Sequence, residues 1–195
     1  MTTFVKSVTK ALRMAGCALA FGMTFYSVAD AANSDLAKQL VERAERDQQA
    51  RSTGDFVHVE KIDRDNSTFL RKLLDTDGWP RVSEVGESGA RAAWLLAQHA
   101  DHDPELQKKI LGVMYELAAI GEALPANAAF LHDRIHVAEG TLQRFGTQGD
   151  CEASGKWAPK AMESRDLVDE YRSRVGLPPL SAYIDRASAS LCAAR

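Results

Sequence analysis

The sequence predicts a mainly α-helical single domain, a bundle of about six to seven helices with one small β-hairpin. Along most of the chain, apolar residues recur at intervals of three and four, the spacing of one buried helix face. The segments with this spacing are separated by glycine, proline and aspartate at positions where helices commonly begin or end. Because neither a repeat nor a long linker divides the chain, we expect one domain over residues 32–195.

The first 31 residues have the layout of a secretory signal peptide. Basic residues come first, followed by an apolar run over residues 14–28 and then by Ala29-Asp30-Ala31. We expect cleavage after Ala31. The apolar run is shorter than a membrane-spanning helix requires, so we expect no stable membrane anchor after cleavage. The mature protein is therefore predicted to be periplasmic.

Charge and cysteine content narrow the class of protein. The chain has a formal net charge of −3, and removal of the basic signal peptide leaves about −5. This acidic balance argues against a nucleic-acid partner or an anionic membrane surface. Cys151 and Cys192 remain after cleavage, and an even pair in an oxidising compartment predicts a disulfide in preference to a thiol nucleophile or a metal site.

The first predicted helix runs from a cap at Ser34 or Asp35 to about Arg51. Asp47, Gln48 and Arg51 continue the face on which its apolar residues lie. Two interpretations are open for this polar end of the face. Either Asp47 and Arg51 form a surface i,i+4 ion pair, or the three side chains line a pocket.

The second predicted helix follows a loop over residues 54–64. Asp65 or Asn66 can cap this helix, which carries its own apolar face. Trp79 and Pro80 end it, because proline disfavours helical geometry for the residue before it. Trp79 is expected to pack in the core, although an indole beside a pocket can also stack on a ligand.

The third predicted helix begins near Gly89, and its run ARAAWLLAQHA is apolar almost all round. That composition is typical of a central, buried helix. Gln98 and His99 are therefore expected inside the protein. His99 is either a hydrogen-bonded core histidine or a functional one, and the polar residues around it favour function.

The fourth and fifth helices have clear first turns. Asp103-Pro104 is a cap followed by a first-turn proline, and Pro125 opens the next helix in the same way. Gln107 lies on the buried, mostly apolar side of the fourth helix. On the fifth helix, Arg134 lies between apolar groups and must extend outward or find a partner, for which the neighbouring Asp133 is the nearest candidate.

The C-terminal third contains the predicted β element. Gly140 ends the fifth helix, and residues 141–148 form a short extended polar segment. Residues 156–158 could pair back as a hairpin strand. Two last helices are expected over about residues 163–175 and around Tyr183.

Two histidine pairs have spacings that could suit metal ligands. His132 and His136 have the spacing of HExxH, but both face away from the apolar side of their helix and are expected in solvent. His99 and His102 share a helix face without a third ligand fixed by spacing. The sequence also lacks a glycine-rich phosphate loop and a G-x-S-x-G turn. We therefore predict no metal, no cofactor and no covalent mechanism.

Several blocks together resemble a bacterial domain family of unknown function. They are Asp47-Gln48-x-x-Arg51, Gly78-Trp79-Pro80, Gln98-His99-x-Asp101, Asp133-Arg134 and Gly140-x-x-Gln143-x-Phe145-Gly146-Thr147-Gln148. The likeness covers most of the mature chain. Phe145 stands where a tyrosine is commoner, which removes a hydroxyl from the turn. The resemblance supports the choice of site residues and implies no reaction.

We expect these polar side chains to meet in one pocket that holds a small polar ligand. In an enzyme, His99 would be the general base, Asp133 or Asp101 would orient it, and Arg51 and Arg134 would bind an anionic group. The matching activity is a non-covalent hydrolase or lyase acting on a small polar or envelope-derived molecule. The residues expected in the pocket are Asp47, Gln48, Arg51, Gln98, His99, Asp101, Gln107, Asp133, Arg134, Gln143, Thr147 and Gln148.

Two other classes of protein fit the same sequence. One is a periplasmic binding or immunity-type protein that inhibits a partner enzyme, which an exposed apolar or acidic patch would favour. The other is a purely structural protein whose internal ion pairs serve only the fold.

Overall fold

Seven α-helices and a two-stranded antiparallel sheet make up residues 34–192, the part of the chain that the structure, a computed structural model, describes. This confirms the predicted fold class, while the predicted signal peptide lies outside the described residues. The elements are α1 (Asp35–Thr53), α2 (Phe56–Thr76), α3 (Val82–Gln98), α4 (Pro104–Ala119), α5 (Pro125–Ala138), β1 (Gly149–Cys151), β2 (Trp157–Pro159), α6 (Val168–Arg174) and α7 (Leu180–Ala187), followed by a π-helical turn over Ser188–Cys192.

Several helix ends follow the predicted capping residues. The Ser34 hydroxyl accepts a hydrogen bond from the backbone N–H of Ala37 at 3.1 Å and so caps α1. Asp103 caps α4 through the N–H of Leu106, and Pro104 follows at the first helical position. Gly140 lies just past α5 with φ of 72°, a left-handed conformation that favours glycine.

The core forms where α1 packs along α3 and α4 packs against α5. A side chain at Gly89 would collide within α3, because a Cβ there would lie 2.7 Å from the Cβ of Val85, whereas the Cα of Ala37 on α1 would be at an ordinary contact distance of 3.5 Å. Trp79 is buried here, as predicted. Other fully buried apolar residues include Leu40, Leu70, Leu96, Ile110 and Leu131.

The predicted loop over residues 54–64 is wrong, because α2 already begins at Phe56. The Asp55 side chain caps it by accepting a hydrogen bond from the N–H of His58 at 3.1 Å. The inward face of this added stretch carries Val59 and then Asp63, so it has only one apolar residue to mark it as helical. A search for apolar residues alone therefore starts the helix about three turns too late.

Two other helix starts differ from the prediction. The third helix begins at Val82, not near Gly89, and Gly86 interrupts its helical geometry with φ of 67°. The Glu84 carboxylate supports the early start by accepting a hydrogen bond from the N–H of Arg81 at 3.2 Å. In contrast, α6 begins only at Val168, after an irregular segment that the sequence analysis assigned to the helix.

The C-terminal hairpin and the disulfide are both confirmed. Strands β1 and β2 pair antiparallel, with Cys151 opposite Trp157. Cys151 is disulfide-bonded to Cys192, which ties the last described turn to the hairpin. Gly149 faces the partner strand so closely that a Cβ would lie 2.2 Å from the Ala158 carbonyl oxygen.

Among the helices described, none combines the length and the apolar character needed to cross a membrane.

Candidate functional site

Asp47 and His99 form a hydrogen-bonded pair between α1 and the residue that follows α3. The Oδ2 atom of Asp47 lies 2.8 Å from Nδ1 of His99. Asp47 occupies the buried face of α1, and its side chain is only 1% exposed, whereas the His99 side chain is 17% exposed. A buried carboxylate therefore stands behind a histidine that reaches the surface.

Arg51 donates hydrogen bonds both to the Asp47 carboxylate and to Asp63 on α2. Its Nη2 atom lies 3.0 Å from Oδ1 of Asp47 and also donates to Oδ1 of Asp63. Gln48 adds a hydrogen bond of 2.8 Å from Nε2 to Oδ2 of Asp47. We call Asp47, Gln48, Arg51, Asp63 and His99 the dyad cluster.

The tautomer of His99, that is, which ring nitrogen carries the proton, follows from its neighbours. Nδ1 lies near both Asp47 Oδ2 and, at 3.1 Å, Arg51 Nε, but it cannot accept from one and donate to the other. Burial alone would raise the pKa of Asp47, but hydrogen bonds from His99 and Arg51 outweigh burial and lower it. An ionised carboxylate only accepts, so Nδ1 of His99 carries the proton.

This tautomer leaves the lone pair of neutral His99 on Nε2. Nε2 has no hydrogen-bond partner within residues 34–192. It is also not one of the side-chain atoms that are both buried and without a hydrogen-bond partner. It is therefore accessible to solvent. The ring nitrogen that can accept a proton faces the outside of the protein, while the protonated nitrogen faces Asp47.

Asp63 is the member of the dyad cluster that sequence reasoning missed, because it falls in the stretch predicted as a loop. Extending the inward face of α2 from Leu70 through Asn66 leads to Asp63 and then to Val59. A polar residue on an inward helix face was the feature that identified Asp47, and the same criterion would have identified Asp63.

One guanidinium serves two carboxylates in this cluster. Burial would lower the pKa of Arg51, but the hydrogen bonds to Asp47 and Asp63 and the charges of these two carboxylates together outweigh burial, so the pKa is raised. Burial raises the pKa of Asp63, and the hydrogen bond from Arg51 offsets only part of that effect. Asp63 is thus the less fully compensated of the two carboxylates.

The dyad cluster also contains a possible set of metal ligands. Asp47, Asp63 and His99 each offer one ligand atom, and the three atoms lie within 4.8 Å of one another. The guanidinium of Arg51 contacts the same three side chains. Its positive charge therefore stands where a metal ion would be expected. Neither histidine pair weighed from the sequence supplies this set.

Asp101, two residues after His99, forms an ion pair with Arg134. Arg134 donates from Nε to Oδ1 of Asp101 at 2.7 Å and from Nη2 to Oδ2 at 2.5 Å. The expected pairing of Arg134 with Asp133 is therefore wrong. Buried Gln107 donates to the Ala97 carbonyl at 3.0 Å and contacts Oδ1 of Asp101 at 3.3 Å. Together these contacts fix the turn after α3 against α4 and α5.

Asp133 lies in a separate, fully buried network. Its carboxylate accepts hydrogen bonds from the backbone N–H groups of Arg144, Phe145 and Thr147 and from the Thr147 hydroxyl, at 2.9 to 3.0 Å. No hydrogen bond joins it to His99 among the described residues, and none joins Asp101 to His99. Asp47 is the carboxylate that contacts the histidine.

Gln143 closes the loop that Asp133 anchors. Its side chain accepts from the N–H of Gln148 and donates to the carbonyls of Gln148 and Lys160, all at 2.9 Å. The Gln148 side chain donates to the Thr147 hydroxyl at 3.2 Å. These contacts shape residues 143–148, and we call Asp133, Gln143, Thr147 and Gln148 the loop anchor.

Gln98 and His132 are both buried. Gln98 is buried, and its side-chain oxygen has no partner within the described residues. The expectation that His132 faces solvent is wrong, since it is 8% exposed. Tyr115 lies 2.9 Å from its Nδ1, and Phe145 packs against its ring. Burial and the neighbouring His136 lower the pKa of His132 to about 4.

The predicted residues thus fall into groups that do not all contact one another. One group centres on Asp47, which is hydrogen-bonded to Gln48, Arg51 and His99. A second group is the ion pair of Arg134 with Asp101, which lies two residues after His99. The loop anchor forms its own network. A groove of about 760 Å³ between α1, α2 and the start of α3 has none of the predicted site residues in its lining.

Comparison with known proteins identifies a family. Neither the curated proteins nor the solved structures contain a match to the chain. A family model described as "Family of unknown function (DUF6624)" matches residues 27–191, which is most of the chain. The resemblance inferred from the motif blocks is thereby confirmed, and the chain belongs to this DUF6624 family.

Proposed function

We propose that this protein is a non-covalent hydrolase or lyase in which His99 is the general base and Asp47 orients it. The observation that carries the proposal is the 2.8 Å contact between Asp47 Oδ2 and His99 Nδ1. A carboxylate at Nδ1 holds the imidazole in one tautomer and stabilises the imidazolium that forms when Nε2 takes a proton. The geometry supports proton transfer at the surface of the dyad cluster.

In hydrolysis, Nε2 of His99 would remove a proton from a water molecule as its oxygen attacks the electrophilic carbon of the substrate. The bond from that carbon to the leaving group then breaks, and the imidazolium returns the proton to the leaving group. In a lyase reaction, Nε2 would take a proton from carbon while the leaving group departs from the neighbouring carbon. Asp47 stays ionised throughout both sequences.

A water nucleophile fits this site better than a covalent one. No serine, threonine or cysteine side chain hydrogen-bonds to His99 within residues 34–192. Cys151 and Cys192 are joined in a disulfide. The acceptor at Nε2 is therefore available to a bound water molecule or to the substrate itself.

The remaining polar groups would act by positioning. The Asp101–Arg134 pair fixes the turn that carries His99, and the loop anchor fixes residues 143–148. Catalysis is sensitive to displacements of about 1 Å, so rigid support of the base is itself a functional requirement. A small polar or envelope-derived molecule is the substrate class that we favour for this partly exposed site.

The test is a substrate screen with matched variants. Purified protein is incubated with muropeptides and with panels of small amides and esters, and mass spectrometry detects products. We expect turnover by the wild type and a loss of at least about 100-fold in His99→Ala. His102→Ala is the control, since His102 is exposed and three residues away. Full activity in His99→Ala would overturn the proposal.

We also infer that the protein works outside the cytoplasm. The basic and apolar pattern of residues 1–31 and the Cys151–Cys192 disulfide support export to the periplasm. Cell fractionation and N-terminal mass spectrometry test this. A periplasmic protein that begins at Ala32 is expected, whereas an unprocessed cytoplasmic protein would contradict the inference.

A second candidate function is binding to a protein partner, as an immunity-type inhibitor would. Phe56 and Val57 favour it, because these adjacent apolar side chains are 83% and 82% exposed at the start of α2. Co-purification of one partner in a defined stoichiometry, abolished by Phe56→Asp in a folded protein, would support this function. A monomeric wild type with enzymatic turnover would favour the enzyme.

A further inference from the structure

Carboxylates outnumber guanidinium groups in the dyad cluster and the neighbouring Asp101–Arg134 pair taken together. Asp47, Asp63 and Asp101 contribute three carboxylates, whereas Arg51 and Arg134 contribute two guanidinium groups. Both arginines are already held by these carboxylates. The expectation that they bind an anionic ligand therefore loses its support, because their positive charge is largely neutralised before a ligand arrives.

Asp63 is the carboxylate with acceptor capacity to spare. Its Oδ1 atom accepts from Arg51, while Oδ2 has no hydrogen-bond partner within the described residues. The side chain is 15% exposed, so a ligand at the surface can reach this oxygen. A carboxylate that shares its only counter-ion with a second carboxylate is stabilised by a further cation.

The side chains of Asp63 and His99, each of which has a free acceptor, lie close together. An oxygen of Asp63 is within 4.8 Å of a ring nitrogen of His99. His99 Nε2 is also without a partner in the described residues. A ligand that bridges these two side chains needs hydrogen-bond donors and gains from positive charge. A metal ion would need a ligand atom from each of Asp47, Asp63 and His99, and Arg51 already contacts all three in the wild type. A hydrogen-bonded organic cation needs only the free acceptors of Asp63 and His99.

We propose that the dyad cluster binds an organic cation, a ligand with a guanidinium or primary ammonium group that Asp63 accepts, placed so that its reactive part lies at His99. This inference rests on the proposed function, because it assigns the substrate class of the same site. Asp63 is then the residue that determines charge specificity. His99 remains the residue that transfers the proton.

The test compares two isosteric probes, Nα-acetylarginine amide and Nα-acetylcitrulline amide, which we call arginine amide and citrulline amide. Neither has an α-ammonium group, so they differ only in the charge of the terminal group. Binding to the full wild-type protein is followed by the ring resonances of His99 in NMR spectra at neutral pH. We expect saturable shifts with arginine amide and binding at least about tenfold weaker with citrulline amide. Inorganic phosphate and acetate are expected to leave these resonances unchanged.

Asp63→Asn is expected to weaken arginine amide binding roughly tenfold while leaving citrulline amide binding unchanged. Asp65→Asn is the matched control, because Asp65 is exposed on the same helix and pairs with Arg43 outside the cluster. Equal binding of the two probes, no shift with arginine amide, or shifts with phosphate instead would overturn the inference.

The two proposals can fail separately. The probe experiment measures binding and requires no turnover, whereas the role of His99 as a base is tested by the activity of His99→Ala. Charge-selective binding together with an active His99→Ala protein would contradict the general-base function alone. Loss of activity in His99→Ala without charge-selective binding would contradict the substrate class alone.

Discussion

Asp47 and His99 are 52 residues apart in the sequence, yet their side chains are joined by a 2.8 Å hydrogen bond. Asp47 is buried on α1, and His99 terminates α3, the helix that packs most extensively along α1. The packing of these two helices therefore sets the geometry of the dyad. The predictions below follow from this relationship and from the networks around it.

Asp47→Asn should reduce turnover about 1,000-fold while leaving the protein folded. Asparagine can present an N–H to Nδ1 and so favour the tautomer with the proton on Nε2, which cannot act as a base. The measurement is the steady-state rate on a substrate found by the screen. Gln49→Ala is the control, because Gln49 is exposed on the same helix and does not belong to the dyad cluster. Comparable rates for Asp47→Asn and wild type would refute the orienting role.

Replacing Arg51 by methionine should create a metal site. The substitution removes the guanidinium and leaves Asp47, Asp63 and His99, whose ligand atoms lie within 4.8 Å of one another. We expect Arg51→Met to bind Zn²⁺ at least about tenfold more tightly than wild type in calorimetric titrations. The double variant Arg51→Met/Asp63→Asn should lose this gain. Equal affinities in wild type and Arg51→Met would show that the arginine does not occupy the place of a cation.

Asp133→Asn should destabilise the protein by about 3 kcal/mol, measured by urea unfolding. The carboxylate accepts hydrogen bonds from three backbone N–H groups and the Thr147 hydroxyl, and an amide nitrogen there would face donors. Thr147→Val removes only one donor and should cost about 1 kcal/mol. If Asp133→Asn proves no more damaging than Thr147→Val, the loop anchor does not depend on the carboxylate.

His132 should make the fold sensitive to mild acid. Burial lowers its pKa in the folded state to about 4, whereas an unfolded histidine titrates near its ordinary value of 6.5. Between these values the unfolded chain binds more protons, so the free energy of unfolding falls as pH decreases. The loss should total about 3 kcal/mol. The charged or titratable groups around His132 are Tyr115, Asp133, His136, Arg144 and Glu163.

Urea unfolding at several pH values between 7 and 4 tests this dependence. His132→Gln should flatten the curve, because glutamine does not titrate. His58→Gln is the control, since His58 is exposed near the start of α2. The same pH slope in wild type and His132→Gln would assign the acid sensitivity to other groups.

The sequence predicts local features of this fold well, for identifiable reasons. Helix caps such as Ser34 and Asp103 act within one turn of the chain, so their effect can be read from neighbouring residues. The disulfide was predictable because residues 32–195, the predicted mature chain, contain two cysteines and therefore allow one pairing. The start of α2 was missed because Asp63 and Asn66 replace apolar residues on its inward face.

The partners within the candidate site were harder to predict, because they depend on how helices pack. Asp133 is next to Arg134 in sequence, yet the guanidinium binds Asp101 and the Asp133 carboxylate turns towards the loop. Helix periodicity placed Asp47, Gln98 and Gln107 on inward faces, where they are buried, but it wrongly placed His132 in solvent. Which carboxylate meets which cation was not, since consecutive residues on a helix point about 100° apart.

The most direct test of the account is the tautomer of His99, measured from long-range ¹H–¹⁵N NMR spectra at a pH where the ring is neutral. We predict that Nδ1 is protonated and Nε2 is unprotonated in wild type, and that Asp47→Asn shifts the proton towards Nε2. A neutral ring with its proton on Nε2 in the wild type would contradict the dyad and the base assigned to it.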